Sequence, residues 1–220
     1  MTERSGLELR WEPERFERTL TRPTTLLLCS GASSCTEITT FEAGARIHGA
    51  HLSLLGSRAF VGTEREGEPP GFGAYDTQTG ERRGLCAVNP ARSTHVFRSS
   101  RQAVAGEGLL YQWSAGSDDT VAKVCGPDGE DVATIEGPIL QLSATRRHAA
   151  RVPGRGTPRG WARQIPIHDL TTGEVIEAFE LDDAAFVEAI EWRAADVVFS
   201  IRHPDQDGEE AVEARVVPLP

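Results

Sequence analysis

The sequence lacks long apolar runs. Its longest apolar stretches, such as TTLLLC at 24–29, fall far short of the ~20 residues that a membrane-spanning helix needs. The N-terminal stretch MTERSGLELRWEPERFERT is charged and has no apolar segment of the kind that a signal peptide contains. We therefore expect a soluble protein of the cytoplasm.

The sequence also lacks the short motifs of catalysis. It contains no nucleophile elbow, no metal-ligand helix and no phosphate-binding glycine loop. GRGTPRG at 154–160 is rich in glycine but has no Lys-Ser/Thr pair. We predict no catalytic residue, no cofactor and no metal, and we lean against an enzyme.

Positive charge is scarce. Lys and Arg total 23 against 33 Asp and Glu, so the net charge is -10. An acidic chain repels nucleic acid and anionic membranes on average. We therefore expect neither of them as a partner.

Cysteines number only four, and they are widely spaced. Cys29 and Cys35 flank SGASS, whereas Cys86 and Cys125 stand alone. A structural metal site would need two closely spaced pairs. Free buried thiols in a reducing compartment are the preferred interpretation, and a Cys29–Cys35 disulfide is the alternative.

Two histidine features could carry chemistry. His48 and His51, in HGAH, are three residues apart, and residues at that spacing point to opposite faces of a strand. His168 and Asp169 could form a dyad, but an Asp beside a turn usually binds local backbone N–H groups. We predict that Asp169 caps its turn.

A repeat of strand, glycine turn and strand is the strongest feature. Gly31, Gly80, Gly129 and Gly173 lie 49, 49 and 44 residues apart, each between two apolar or alternating stretches. The segments between these hairpins each contain two further strands around a polar turn: 50–63, 93–113, 139–152 and 187–202. The repeat therefore holds about four strands.

One repeat, IEGPILQLSATRRHAARV…IPIHDLTTGEVIEAFEL, resembles those of the WD-repeat-like and quinoprotein-like β-propellers. His168-Asp169 and Tyr75-Asp76 stand where that family has Trp-Asp, and the family's Gly-His is absent. The resemblance implies an all-β, propeller-like array of four-stranded blades in one domain, residues 1–220, with about five blades or a partial ring. The predicted blades are 24–43 (partial), 44–88, 89–137, 138–183 and 184–220.

The last predicted blade lacks its fourth strand. Gly208 is expected in the turn before EEAVEARVV, which forms the third strand just ahead of the C-terminus. GLELRWEP, with a strand at 6–12, is the candidate that completes this blade.

The candidate binding site is a cluster of arginines in an otherwise acidic chain. Its members are Arg146, Arg147, Arg151, Arg155, Arg159 and Arg163. A solvated insertion is one interpretation, and a contact surface for phosphate or carboxylate groups is the other. An acidic counterpart follows downstream: Glu174, Glu177, Glu180, Asp182, Asp183, Glu188 and Glu191.

These observations favour a non-enzymatic protein-interaction propeller, a scaffold or accessory subunit. Its partner would be another protein or a second copy of the chain. The alternative is an enzyme or small-ligand binder that uses the central channel.

Overall fold

The computed structural model describes residues 6–14, 18–31, 34–90, 93, 96–97, 101–114, 120–136, 140–152, 164–182, 185–204 and 210–220. The chain forms two compact units, Met1–Ser114 with Lys123–Val132 and Ala115–Ala122 with Ala133–Pro220. Five antiparallel sheets make up nearly all the regular structure of the described residues. Ser93, Val96 and Phe97 are helical. No helix in the described ranges has the length and apolar content to cross a membrane.

Three central sheets have four strands each, in chain order. The strands are β4 (Arg46–Leu52), β5 (Arg58–Glu64), β6 (Gly71–Asp76) and β7 (Arg82–Ala87); β8 (Arg101–Ala105), β9 (Gly108–Ser114), β10 (Thr120–Cys125) and β11 (Asp131–Glu136); and β12 (Leu140–Leu142), β13 (His148–Arg151), β14 (Gln164–Asp169) and β15 (Val175–Glu180). This arrangement confirms the predicted fold class, an all-β array of propeller-like blades.

The predicted turn glycines adopt the left-handed backbone that a tight hairpin requires. Their φ values are 78° at Gly31, 73° at Gly80, 80° at Gly129 and 78° at Gly173. An L-residue with a Cβ rarely adopts this conformation, so glycine marks each outer hairpin in the sequence.

The first sheet has three strands, β1 (Leu7–Glu12), β2 (Thr24–Ser30) and β3 (Cys35–Phe41). β1 pairs antiparallel with β2, from Leu7 opposite Ser30 to Glu12 opposite Thr25. The prediction that this segment completes the last blade is therefore wrong. The neighbouring hairpin offers β1 both a free edge and an apolar face, on which the Trp11 ring lies 6.0 Å from that of Phe41. Pairing over so short a separation costs less loop entropy than closure across the whole chain.

The last sheet also has three strands, β16 (Phe186–Trp192), β17 (Asp196–Pro204) and β18 (Glu210–Pro218), in that order. β18 is the predicted third strand, and among the described residues no fourth strand pairs with it. The predicted turn at Gly208 lies outside the described residues.

Each unit has its own apolar core. In the first unit, one cluster surrounds Phe60, Phe72 and Tyr111, and another surrounds Leu26 and Phe41. In the second unit, one cluster is built from the inward faces of β13, β14, β15, β17 and β18. Aromatic and β-branched side chains dominate these faces, as is typical of buried strands.

Candidate functional site

The polar residues of the repeat hold its outer hairpins. Asp76 Oδ1 accepts hydrogen bonds from the backbone N–H groups of Gln78 and Thr79, both at 3.0 Å. Asp169 Oδ1 accepts one from the Thr171 N–H at 2.7 Å. The predicted capping role of Asp169 is confirmed, and Asp76 plays the same part in its own hairpin.

Each of these aspartates also pairs with an arginine. Arg58 Nη1 lies 3.0 Å from Asp76 Oδ2, and Arg147 Nη2 lies 3.3 Å from Asp169 Oδ2. The backbone N–H groups of Thr79 and Gln78, and then the Arg83 and Arg58 guanidiniums, lower the pKa of Asp76 to about 2. Both pairs help to fix a β-turn between two strands.

Burial of Asp169 acts to raise the pKa of its carboxyl. Hydrogen bonds from Thr171 and the charge of Arg147 outweigh burial, so the pKa of Asp169 is held below its ordinary value. Asp169 is therefore ionised at neutral pH, in a setting that stabilises the folded chain.

A serine fixes the inner hairpin of two repeats. The Ser53 hydroxyl accepts a hydrogen bond from the Arg58 N–H, and the Ser143 hydroxyl accepts one from the His148 N–H, each at 3.0 Å. Both serines follow a leucine in the sequence, in LSLLGSR and LSATRRH. Our sequence reasoning missed these residues, although aligning the two turns would have shown them.

Glu107 is a second residue that sequence reasoning missed. From the β8–β9 turn it accepts hydrogen bonds from Ser53 Oγ and the Leu55 N–H, both at 2.8 Å, and also from Ser57 Oγ. It therefore ties one inner hairpin to the next within the first unit. A single glutamate 50 residues from Ser57 gives no local signal of this role.

The structure describes three of the six predicted binding-site arginines. Arg146 and Arg147 are exposed in the β12–β13 turn. Arg147 is 57% exposed even though it pairs with Asp169. Arg151, at the end of β13, donates to the backbone oxygen of Glu136 at 2.7 Å. Arg155, Arg159 and Arg163 lie outside the described residues.

The two histidines of HGAH have separate partners. The His48 ring stacks on Phe97 at 4.0 Å, and its Nε2 lies 3.5 Å from Glu64 Oε2. His51 Nε2 instead contacts Gln102 Oε1. Burial lowers the pKa of His48, against the opposing charge of Glu64. The two rings do not form a shared ligand pair.

The expectation of free thiols is wrong. Cys29 pairs with Cys35 across the β2–β3 hairpin, and Cys86 of β7 pairs with Cys125 of β10. The second pairing escaped sequence reasoning because its residues are 39 positions apart and meet only when neighbouring sheets stack within the first unit. The predicted cytoplasmic location remains a prediction.

One cluster of potential metal ligands appears in the described ranges. Cys86, Cys125 and Asp131 bring their ligand atoms within 4.8 Å of one another. A metal binds cysteine as the thiolate, and both sulfurs here belong to a disulfide. The Asp131 carboxylate pairs instead with Lys123 Nζ at 2.7 Å. This cluster is therefore a structural link between strands.

A shallow pocket of about 240 Å³ lies beside the β3–β4 turn. Its lining consists of Glu42, Ala43, Gly44, Ala45, Arg65 and Glu66. This volume is below that of most small-molecule sites, which measure about 300–1,000 Å³. The charged residues of the lining would suit a small polar group.

Comparison with known proteins finds no matching family model and no matching curated protein. Among solved structures, BamB from Moraxella catarrhalis is 14% identical, with 90% of this chain and 56% of that chain covered and a TM-score of 0.41. The C-terminal WD40 domain of Sif2 is 11% identical, with 83% and 51% covered and a TM-score of 0.41. Protein lmo1340 from Listeria monocytogenes EGD-e is 10% identical, with 89% and 60% covered and a TM-score of 0.45. The chain spans little more than half of the length of each of these chains.

Proposed function

We propose that this chain is a non-enzymatic protein-interaction module that binds an acidic protein surface through its arginine cluster. The observation that carries this proposal is the exposure of Arg146 and Arg147 on a turn that the surrounding structure holds in place. The Ser143 hydroxyl fixes one side of that turn, and the Asp169 carboxylate fixes the other.

The chemistry of the cluster favours a carboxylate-rich partner. A guanidinium presents a planar fork of N–H donors that matches two carboxylate oxygens. Arg147 contacts Asp169 through Nη2, and more than half of its side chain is exposed, so it can meet a second anion. Positive charge concentrated in a chain of net charge -10 also orients an acidic partner toward this segment.

The test is affinity capture from the native cell with charge variants as bait. Arg155→Glu with Arg159→Glu removes part of the cluster and leaves the Arg147–Asp169 pair and the Arg151–Glu136 bond intact. A matched control is Arg18→Glu with Arg22→Glu, which changes the net charge equally at two exposed residues outside the cluster.

We expect wild type and the control variant to retain a partner protein at low salt. The cluster variant should lose that protein. Wild type should also lose it as salt rises, because exposed charges are screened over about 8–10 Å at ordinary ionic strength. Equal retention by both variants, or retention that salt does not change, would contradict the proposal. Capture of a small molecule in place of a protein would favour the ligand-binding alternative.

A further inference from the structure

The free edge of β18 is self-complementary, and we propose that it pairs antiparallel with β18 of a second copy of this chain. The pairing would join two three-stranded sheets into one of six strands. The inference rests on the backbone direction, the side-chain pattern and the charges of Glu210–Pro218, and it does not depend on the arginine cluster.

The β18 edge is long and regular. β18 pairs with β17 over nine consecutive residue pairs, from Asp196 opposite Pro218 to Pro204 opposite Glu210, without a bulge. Its other edge has no partner strand among the described residues. Proteins usually protect such an edge with a bulge, a short strand or a covering segment.

The backbone direction of each residue follows from the end of the strand. The Leu219 N–H donates to the Ala195 carbonyl at 2.8 Å, so Leu219 points its backbone groups toward β17. Backbone groups alternate in direction along a strand, and the register contains no shift. Val212, Ala214 and Val216 therefore point their N–H and C=O groups away from β17, toward the free edge.

Two exposed valines lie in this part of β18. Val212 and Val216 are 57% and 56% exposed, whereas Val217, on the opposite face, is 4% exposed. Val212, Ala214 and Val216 form an apolar row on one face of an unpaired edge. Isolated exposed valines are ordinary, but a row along an unpaired edge is typical of a strand-pairing site.

The register of the proposed pair is set by a two-fold axis through Ala214. That axis places Val212 opposite Val216 of the other copy, and Glu213 opposite Arg215. Ala214 lies opposite Ala214 of the other copy. Opposite charges and apolar pairs directly across from each other stabilise an antiparallel ladder. The residues whose backbone N–H and C=O groups point toward the free edge lie opposite one another in this register. The two copies therefore form about six backbone hydrogen bonds.

The two adjacent registers are unfavourable. An axis through Glu213 places two carboxylates opposite each other, and an axis through Arg215 does the same with two guanidiniums. Like charges directly across a ladder destabilise it. The sequence VEARV is thus complementary to itself in one register, which identifies a second copy as the occupant.

Both charged residues are already held on the inner face of the sheet. Glu213 Oε2 lies 3.1 Å from His203 Nε2, and the Arg215 guanidinium lies 4.6 Å from the centre of the Phe179 ring. The remaining carboxylate and guanidinium atoms can meet their counterparts across the two-fold axis. This preorganisation reduces the entropy lost on pairing.

Charge exchange tests this register. Glu213→Arg and Arg215→Glu each place like charges opposite in the homodimer, and each should weaken dimerisation about tenfold or more because two symmetric pairs change sign. Mixing the two single variants brings opposite charges together again and should restore the dimer as a heterodimer. The double variant, E213R with R215E, should dimerise by itself. Sedimentation measures each mass, and thermal melting confirms that each variant is folded.

Wild-type dimers that both single variants lose, and that mixing restores, would support the proposal. A monomeric wild type at the highest soluble concentration would overturn it, as would dimers that neither single variant weakens. Folded single variants that fail to recover on mixing would also reject this register. If a different protein occupies the edge, wild type is monomeric when pure, and the proposal fails. None of these outcomes affects capture by the arginine cluster, which is tested separately.

Discussion

Arg146 occupies the backbone position in the β12–β13 turn that Gly56 occupies in the β4–β5 turn. Both are left-handed, with φ of 59° at Arg146 and 80° at Gly56. The turns match in other respects, since Ser53 and Ser143 begin them and each serine hydroxyl accepts from the N–H five residues later. The two turns therefore share one geometry, although one has an arginine at the position where the other has a glycine.

Arg146→Gly should stabilise the fold by up to about 1 kcal/mol. A left-handed conformation costs an ordinary L-residue about 1–2 kcal/mol, and the greater freedom of glycine in the unfolded chain offsets part of the gain. Urea denaturation of both proteins measures the difference. A loss of stability would mean that the Arg146 side chain stabilises the turn more than its backbone strains it.

Asp76→Asn should reduce stability at neutral pH, and the difference from wild type should fade in acid. The pKa of Asp76 is lowered to about 2 from its ordinary value of 3.8, so the carboxylate stabilises the fold above about pH 4 and loses this effect as the pH falls toward 2. Chemical denaturation at several pH values between about 6 and about 2 measures the free energy of unfolding of both proteins. A difference that does not vary with pH would show that the charge of Asp76 contributes nothing.

Gly84→Ala should destabilise the first unit by about 1–3 kcal/mol, the usual cost of overpacking. A Cβ at Gly84 would lie 2.1 Å from the backbone oxygen of Asp128, which belongs to the hairpin of the adjacent sheet. Gly6→Ala is the matched control, because a Cβ there meets nothing within 4 Å. Equal melting temperatures for the two variants would show that this close approach does not occur in solution.

Removing the Cys86–Cys125 disulfide should cost about 4 kcal/mol, and removing Cys29–Cys35 about 2 kcal/mol, because the stabilisation grows with the enclosed loop. Their sequence separations are 39 and 6 residues. Paired Cys→Ala variants measured by denaturation give both values. Thiol titration of unfolded wild type should detect no free thiol. Detection of two thiols at Cys86 and Cys125 would contradict this pairing.

The sequence was most informative about local structure. Gly80, Gly129 and Gly173 mark outer hairpins because those turns need left-handed backbone, and the spacing of the turns indicated the four-stranded repeat. Contacts between distant residues left no comparable signal. The Cys86–Cys125 bond and the contacts of Glu107 each depend on how neighbouring sheets of the first unit lie against each other, which alternation along one strand does not encode.

For the arginine cluster, too, the sequence was informative about local chemistry but not about contacts with distant residues. The composition of the cluster left open both a solvated insertion and a contact surface for an anionic partner. The separate contacts of Arg147 and Arg151 became visible only with Asp169 and the Glu136 carbonyl in place. A guanidinium at a strand end can serve a turn or a partner, and the sequence alone does not distinguish these uses. Arg147, which is exposed and paired on one side, can serve both.

The central claim is that the chain acts by binding an acidic protein surface through the arginine cluster. The most direct measurement is backbone hydrogen exchange of the wild-type chain, alone and in complex with the protein that it captures at low salt. We predict slower exchange in the complex at the β12–β13 turn and through residues 153–163, and unchanged exchange in β4–β7. Protection confined to β4–β7 or to another part of the chain, with the cluster unaffected, would contradict the account.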